Sequence, residues 1–249
     1  MTDQYVIAWD LETVPDIDAV RRMKDMEGAS DEEVRDALGS GFPKLPLHKI
    51  ACIGALVAKR VEEGWDLSAL GAPHIGERTE AELIQSFVDR IGELKPQLIS
   101  FNGNSFDLPV LRYRAMVNRV SASGLQVRSY FHRYTDDSLD LCDALASYDS
   151  RSKPKLDDLS KIMGLSGKPQ GVDGSQVEGL VNEGRIEEVA SYCETDVLNT
   201  YRVWLLYEVF RGTLTVDQLD WSEGKLRDHV MKRPANHTYL RAALGCGLI

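Results

Sequence analysis

The apolar run Tyr5-Val-Ile-Ala-Trp9 stops at Asp10-Leu-Glu12, and this junction limits the fold more than any other stretch of the chain. The run reads as a buried strand, and a strand turns alternate side chains to opposite faces, so Asp10 and Glu12 project to the same side. Two carboxylates a few ångströms apart repel, which raises one pKa unless cations hold both. The pair is therefore either one half of a magnesium-type site or the solvated end of a strand.

Periodicity extends the frame. Lys49 to Ala58 and Gly64 to Leu70 predict an antiparallel pair joined across Glu62-Glu63-Gly64, and Gln97 to Phe101 returns as an apolar strand. Capping boxes at Ser30–Glu33 and Thr79–Glu82 start helices, the second running to Leu94. Leu108 to Val120 follows as a helix with Pro109 in its first turn, where a missing N–H costs nothing. From residue 139 the pattern turns helical: Leu139–Ser147, Lys155–Met163, Ser175–Glu183 and a long element from Ile186 to Phe210. Early strands, a central alternation and late helices indicate an α/β class with a mixed β-sheet flanked by helices.

The 249 residues, 43% of them apolar, suffice for one domain spanning 1–249. Within it, 15–46 reads as a polar insertion or flap between strands, and 215–249 as a C-terminal helical extension. No stretch approaches the ~18 apolar residues of a membrane span, so the expectation is a soluble, cytoplasmic protein with no membrane partner. Cys52, Cys142, Cys193 and Cys246 form no CxxC pair and read as reduced core thiols. A net charge of −10 excludes a protein that coats nucleic acid by bulk electrostatics, though not an enzyme gripping one strand end.

Two further acidic signatures follow in chain order. Asp107 closes Asn102-Gly-Asn-Ser-Phe-Asp107 and stands before Leu108-Pro109, which suits either a helix N-cap or a metal ligand. Tyr192 and Asp196 are four apart in the long helix and share one face, at the edge of a buried stripe through Val189, Cys193, Val197 and Tyr201. Between these signatures, Arg112, Arg114, Arg119, Arg128 and Arg133 alternate with Tyr113, Tyr130, Phe131 and His132, and residues 108–133 contain no acid after Asp107. That mixture fits the phosphates and unstacked bases of a single strand, or simply a solvated helix face and loop. Glycines at 164, 167, 171 and 174 surround Lys168 in a pliable connector without the GK[ST] ending of a triphosphate loop.

Taken together, Trp9-Asp-Leu-Glu-Thr13, Asn102-Gly-Asn-Ser-Phe-Asp-Leu-Pro109 and Tyr192-Cys-Glu-Thr-Asp-Val197 resemble the DEDD superfamily of 3′→5′ exonucleases on the ribonuclease H-like fold. Among them the chain looks most like stand-alone predicted exonucleases related to the exonuclease domain of B-family DNA polymerases. With Ser at 191 and Tyr at 192, it resembles the tyrosine subclass. The resemblance implies two divalent ions, magnesium or manganese, with Asp10 bridging, Glu12 and Asp196 on the ion that activates water, and Asp107 on the other. It also implies that Tyr192 orients the water and that nucleoside 5′-monophosphates leave the 3′ end of single-stranded nucleic acid, with DNA favoured and RNA the other possible substrate. Asn102, Phe106, Arg112, Arg128, Arg133 and Lys168 are the expected substrate contacts. A polymerase or repair protein in trans is an expected partner. The alternative is a non-catalytic nucleic-acid-binding or adaptor module that kept the fold.

Overall fold

The computed structural model describes residues 4–167, 174–234 and 237–245. Strand β1 (Tyr5–Pro15) runs past its expected end at Asp10. The segment after it folds as α1 (Ile17–Met23), capped by Asp16, and α2 (Asp31–Leu38), which carries the expected Ser30–Glu33 capping box. The two helices close over a small core of Val20, Val34 and Leu47.

Strand β2 (His48–Val61) pairs antiparallel with β1 from Tyr5↔Lys59 to Pro15↔His48, with a bulge between Glu12 and Thr13. This long partner supplies hydrogen bonds beyond Asp10, which is why β1 continues where its apolar run ends. Strand β3 (Gly64–Gly71) completes the hairpin, and α3 (Glu80–Leu94) begins at the Thr79–Glu82 capping box. Strand β4 (Gln97–Ser100) lies parallel to β1 but pairs only with Val6, Ile7 and Ala8. Helix α4 (Asp107–Val117) follows. Strand β5 (Ser138–Asp140) pairs parallel with β4, where sequence periodicity predicted a helix from Leu139. The helix begins two residues later as α5 (Leu141–Leu145), with Asp140 as its N-cap.

Next come α6 (Leu156–Ile162), α7 (Val177–Asn182), the long α8 (Ile186–Arg211), α9 (Val216–Met231) and α10 (Thr238–Ala243). The sheet order is β3-β2-β1-β4-β5, so β1 lies at the centre of a mixed sheet flanked by helices, the ribonuclease H-like α/β arrangement expected. Val6 and Ala8 pack with Val197, Leu198, Tyr201 and Trp204 of α8. Ile7, Trp9 and Leu11 face the other way, against Leu83, Ile84 and Phe87 of α3 and Leu108 and Leu111 of α4. A one-residue slip would exchange the two sets, and each buried large side chain contributes roughly 1.5–3 kcal/mol. Register is thereby fixed, and with it the side on which Asp10 and Glu12 emerge.

Candidate active site

Both acids of β1 belong by alternation to the α8 side of the sheet. Ligand-capable atoms of Asp10, Glu12 and Cys193 of α8 lie within 4.8 Å of one another. The Cys193 Sγ is 3.8 Å from Asp10 Oδ2 and 3.7 Å from the Asp10 carbonyl. A hydrogen bond with Cys52 and burial push this thiol well above its ordinary pKa, so it is a neutral group. The close approach of α8 depends on Gly54, which pairs with Asp10 in the β1–β2 ladder. A Cβ there would meet Cys193 Sγ at 2.6 Å and Val197 Cγ2 at 2.9 Å.

One turn of α8 brings in the third signature. Tyr192 and Asp196 are both buried. Sequence reading placed them at the edge of an apolar stripe, but α8 is buried on nearly all sides from Val189 to Leu205 because α9 and α10 cover the face turned from the sheet. Burial pushes the Tyr192 phenol far above its usual pKa, and the negative charges of Asp196, Glu12 and Asp10 push it the same way. Tyr192 is thus a neutral donor, hydrogen-bonded to Asp196. Asp10 and Asp196 share a cavity of about 390 Å³ with Lys155 and Thr200. Lys155 has no counterpart among the expected contacts.

The structure removes one of the two readings of Asp107. Its side chain does not cap α4: Phe106 holds the N-cap position, without a side-chain bond. Instead Asp107 Oδ1 accepts the Leu11 backbone N–H at 2.9 Å. Because β4 pairs with β1 only as far as Ala8, the β1 edge beyond it is open, and the Asp107 carboxylate takes that place. Asp107 is 3% exposed, and burial raises its pKa to about 7 against the opposing pull of the Leu11 N–H, with the nearby Asp140 charge adding to the rise.

Asp140 is the residue that sequence reasoning missed. Its Oδ1 accepts backbone N–H groups of Asn102 at 2.7 Å and Cys142 at 3.0 Å, and its Oδ2 that of Asn104 at 3.0 Å. It therefore shapes the loop that delivers Asp107. In that loop Asn102 adopts a φ of +70°. A Cβ at Gly103 would fall 2.4 Å from Ser100 Oγ, so only glycine lets the loop turn this tightly. The signal for Asp140 was a lone Leu139 before an N-cap acid, and three residues are too few to show a strand period.

The expected substrate contacts separate. The Asn102 side chain accepts from Lys153 Nζ at 2.6 Å, beside the Asp107 loop. Phe106 packs edge-on to His48, ring centroids 5.0 Å apart, in a cavity it shares with Glu12. Arg112 is exposed, its guanidinium lying against the Phe131 and Tyr113 rings. Arg133 pairs with the buried Asp143, which Lys153 also contacts. Arg128 pairs with Asp137 and donates to the Lys95 carbonyl, at the opposite end of β4 from Asp107. Lys168 and Cys246 lie outside the described residues, whereas Cys52, Cys142 and Cys193 are buried free thiols as expected.

Two members of the 108–133 mixture belong to the interior instead. Arg114 is buried and bonded to Glu80 at 2.7 and 2.8 Å and to Asp16 at 2.5 Å, holding α4, α3 and the start of α1 together. Tyr130 is buried, its hydroxyl donating to the Pro96 carbonyl at 2.7 Å. Among the described residues, no helix is long and apolar enough to cross a membrane.

A family model described as "Predicted 3'-5' exonuclease related to the exonuclease domain of PolB" matches residues 40–244. The match takes in Asn102–Asp107 and Tyr192–Asp196 and begins beyond Asp10 and Glu12. No curated protein matches the chain. With well over half of its length matched, and with the mixed sheet such a nuclease requires, the chain belongs to the family of predicted 3′-5′ exonucleases related to the exonuclease domain of PolB.

Proposed function

We propose that the protein is a magnesium- or manganese-dependent exonuclease that hydrolyses the terminal phosphodiester at the 3′ end of single-stranded nucleic acid, releasing nucleoside 5′-monophosphates. DNA is the favoured substrate, on the strength of the polymerase likeness. The observation that carries this reading is the Asp107–Leu11 hydrogen bond, which fastens the second acidic signature to the strand bearing the first.

The donor set fits divalent metal. Asp10, Glu12, Asp107 and Asp196 offer hard oxygen donors from three elements, and every charge acting on the Tyr192 phenol is negative. Those four carboxylates would hold the ions. When bound, a pair of divalent ions lowers the pKa of an attacking water and offsets charge on the leaving 3′ oxygen. Tyr192, kept neutral by burial, donates to Asp196 and so fixes that carboxylate while presenting a phenol beside Glu12 for orienting the water. Lys155, on the cavity wall with Asp10 and Asp196, is placed to meet a phosphate oxygen. Asn102, Arg112, Arg128, Arg133 and Lys168 remain the candidates for the strand behind it.

Degradation of 5′-labelled DNA and RNA, single- and double-stranded, with each metal tests the reading. The expected result is a ladder shortening from the 3′ end, lost in Asp10→Ala and Asp107→Ala. Strands that stay intact with both ions, or a ladder unaffected by both substitutions, would overturn it.

A further inference from the structure

The segment between β1 and β2 carries Phe42, whose ring is 78% exposed, a few residues before β2. So large an apolar ring in water is costly unless something covers it. It does not turn into the small core of Val20, Val34 and Leu47 beneath the same segment. Instead it packs against His48, with centroids 4.9 Å apart, and against Phe106 at 5.6 Å, leaving its outer surface open. The three rings stand on the wall of a cavity of about 360 Å³ that also contains Glu12 and Glu178.

Two further contacts hold this wall in place. A carbonyl can only accept, so the 3.1 Å contact between His48 Nε2 and the Pro43 oxygen puts the proton on Nε2, and Thr13 Oγ1 then donates to Nδ1 at 2.9 Å. Burial lowers the His48 pKa, which keeps that neutral tautomer. His48 thereby ties the Phe42-Pro43 turn to the residue next to Glu12. On the far side, Arg35 of α2 grips Glu178 of α7 with two bonds of 2.7 and 2.9 Å. The insertion is bound to the body of the protein at both ends of the cavity.

We propose that Phe42 is the stacking surface for the base of the 3′-terminal nucleotide, with Phe106 and His48 backing it, so that the insertion supplies part of the substrate site. This rests on the exonuclease reading above. Arg35 on this wall is engaged by Glu178 and the rings present an apolar face, so the group that suits the cavity is the uncharged base, while its phosphate would lie toward the ions that Asp10, Asp107 and Asp196 would hold. Stacking on one ring face uses the π-surface common to all bases, so the subsite tolerates sequence. It also reassigns Phe106 from direct contact to support.

The test uses strands carrying 2-aminopurine either at the 3′ terminus or several nucleotides inside, bound to Asp10→Ala protein so that hydrolysis does not interfere. The terminal probe should be quenched on binding, and adding Phe42→Ala should remove that quenching and raise Kd by roughly 5- to 150-fold. Phe42→Trp should retain both, and the internal probe should respond alike in all proteins. Because Phe42 is exposed, its loss should leave Tm unchanged. Phe42→Ala with unaltered Kd and terminal quenching would overturn the proposal. If wild-type protein then still degrades strands, only the subsite falls; Phe42-dependent quenching without degradation supports the subsite while the exonuclease reading falls.

Discussion

Replacing Asp107 by Asn should stabilise the metal-free protein while abolishing hydrolysis. Burial raises the Asp107 carboxyl from an ordinary 3.8 to about 7, so above that pH the fold must hold an ionised carboxylate in the interior. A raised carboxyl pKa contributes stability fully below the unfolded value and loses it as pH climbs through the folded value. At about 1.36 kcal/mol for each pH decade, the loss approaches ~4 kcal/mol at pH 8. Asparagine keeps an oxygen for the Leu11 N–H and carries no charge, so Asp107→Asn should recover about 2–4 kcal/mol at pH 8. For a chain of this size that is a Tm rise of about 5–15 °C. Thermal melts in EDTA at pH 8 and pH 4 measure it, and the gain should disappear at pH 4, where both proteins are neutral at this position. Magnesium or manganese should raise the Tm of the unaltered protein more than that of the variant. A variant no more stable at pH 8, or equally stabilised at both pH values, would refute the account of Asp107 as a buried charge.

Tyr192→Phe keeps the packing and removes the donor to Asp196, so kcat should fall by about 10²-fold with KM little changed, read in steady-state hydrolysis. Arg114→Ala leaves Asp16 and Glu80 buried without their counter-charge and should cost about 3–5 kcal/mol in urea unfolding. Its effect should fall on stability and not on KM, the opposite of what a phosphate contact would give. Gly54→Ala forces a methyl into Cys193 and Val197, costing about 1–3 kcal/mol, and by moving α8 from β1 it should weaken metal binding in calorimetry. Adding Cys193→Ala should restore part of both.

What was legible in the sequence depended on how local its cause was. The strand period gave the side on which Asp10 and Glu12 emerge, and the helix period gave the Tyr192–Asp196 face, since both follow from backbone geometry over a few residues. The role of Asp107 was not local. It depends on β4 stopping its pairing at Ala8, which leaves the Leu11 N–H for a carboxylate 96 residues away. In the sequence Arg114 falls among arginines that suit either a single strand or a solvated face, and only the packing of α3 and the insertion shows that its side of α4 is closed. The insertion looked polar enough to be a flap, yet Asp16 and Arg35 bind it to the body through Arg114 and Glu178.

The other buried acids bear on the metal proposed for the cleft. Asp140 is answered by backbone N–H groups, Asp143 by Arg133 and Lys153, and Asp16 and Glu80 by Arg114. In each case the fold supplies the compensation that burial of a charge demands. Around Tyr192 the fold directs Asp10, Glu12 and Asp196 at one phenol, so that their fields add. Lys155 and Asp157 line one cavity with Asp10 and Asp196, Glu12 opens on the neighbouring one, and Asp107 is driven toward its neutral form by burial. Three carboxylate fields that add at one phenol suit the divalent cations proposed above, because a divalent cation supplies the most charge in the least space.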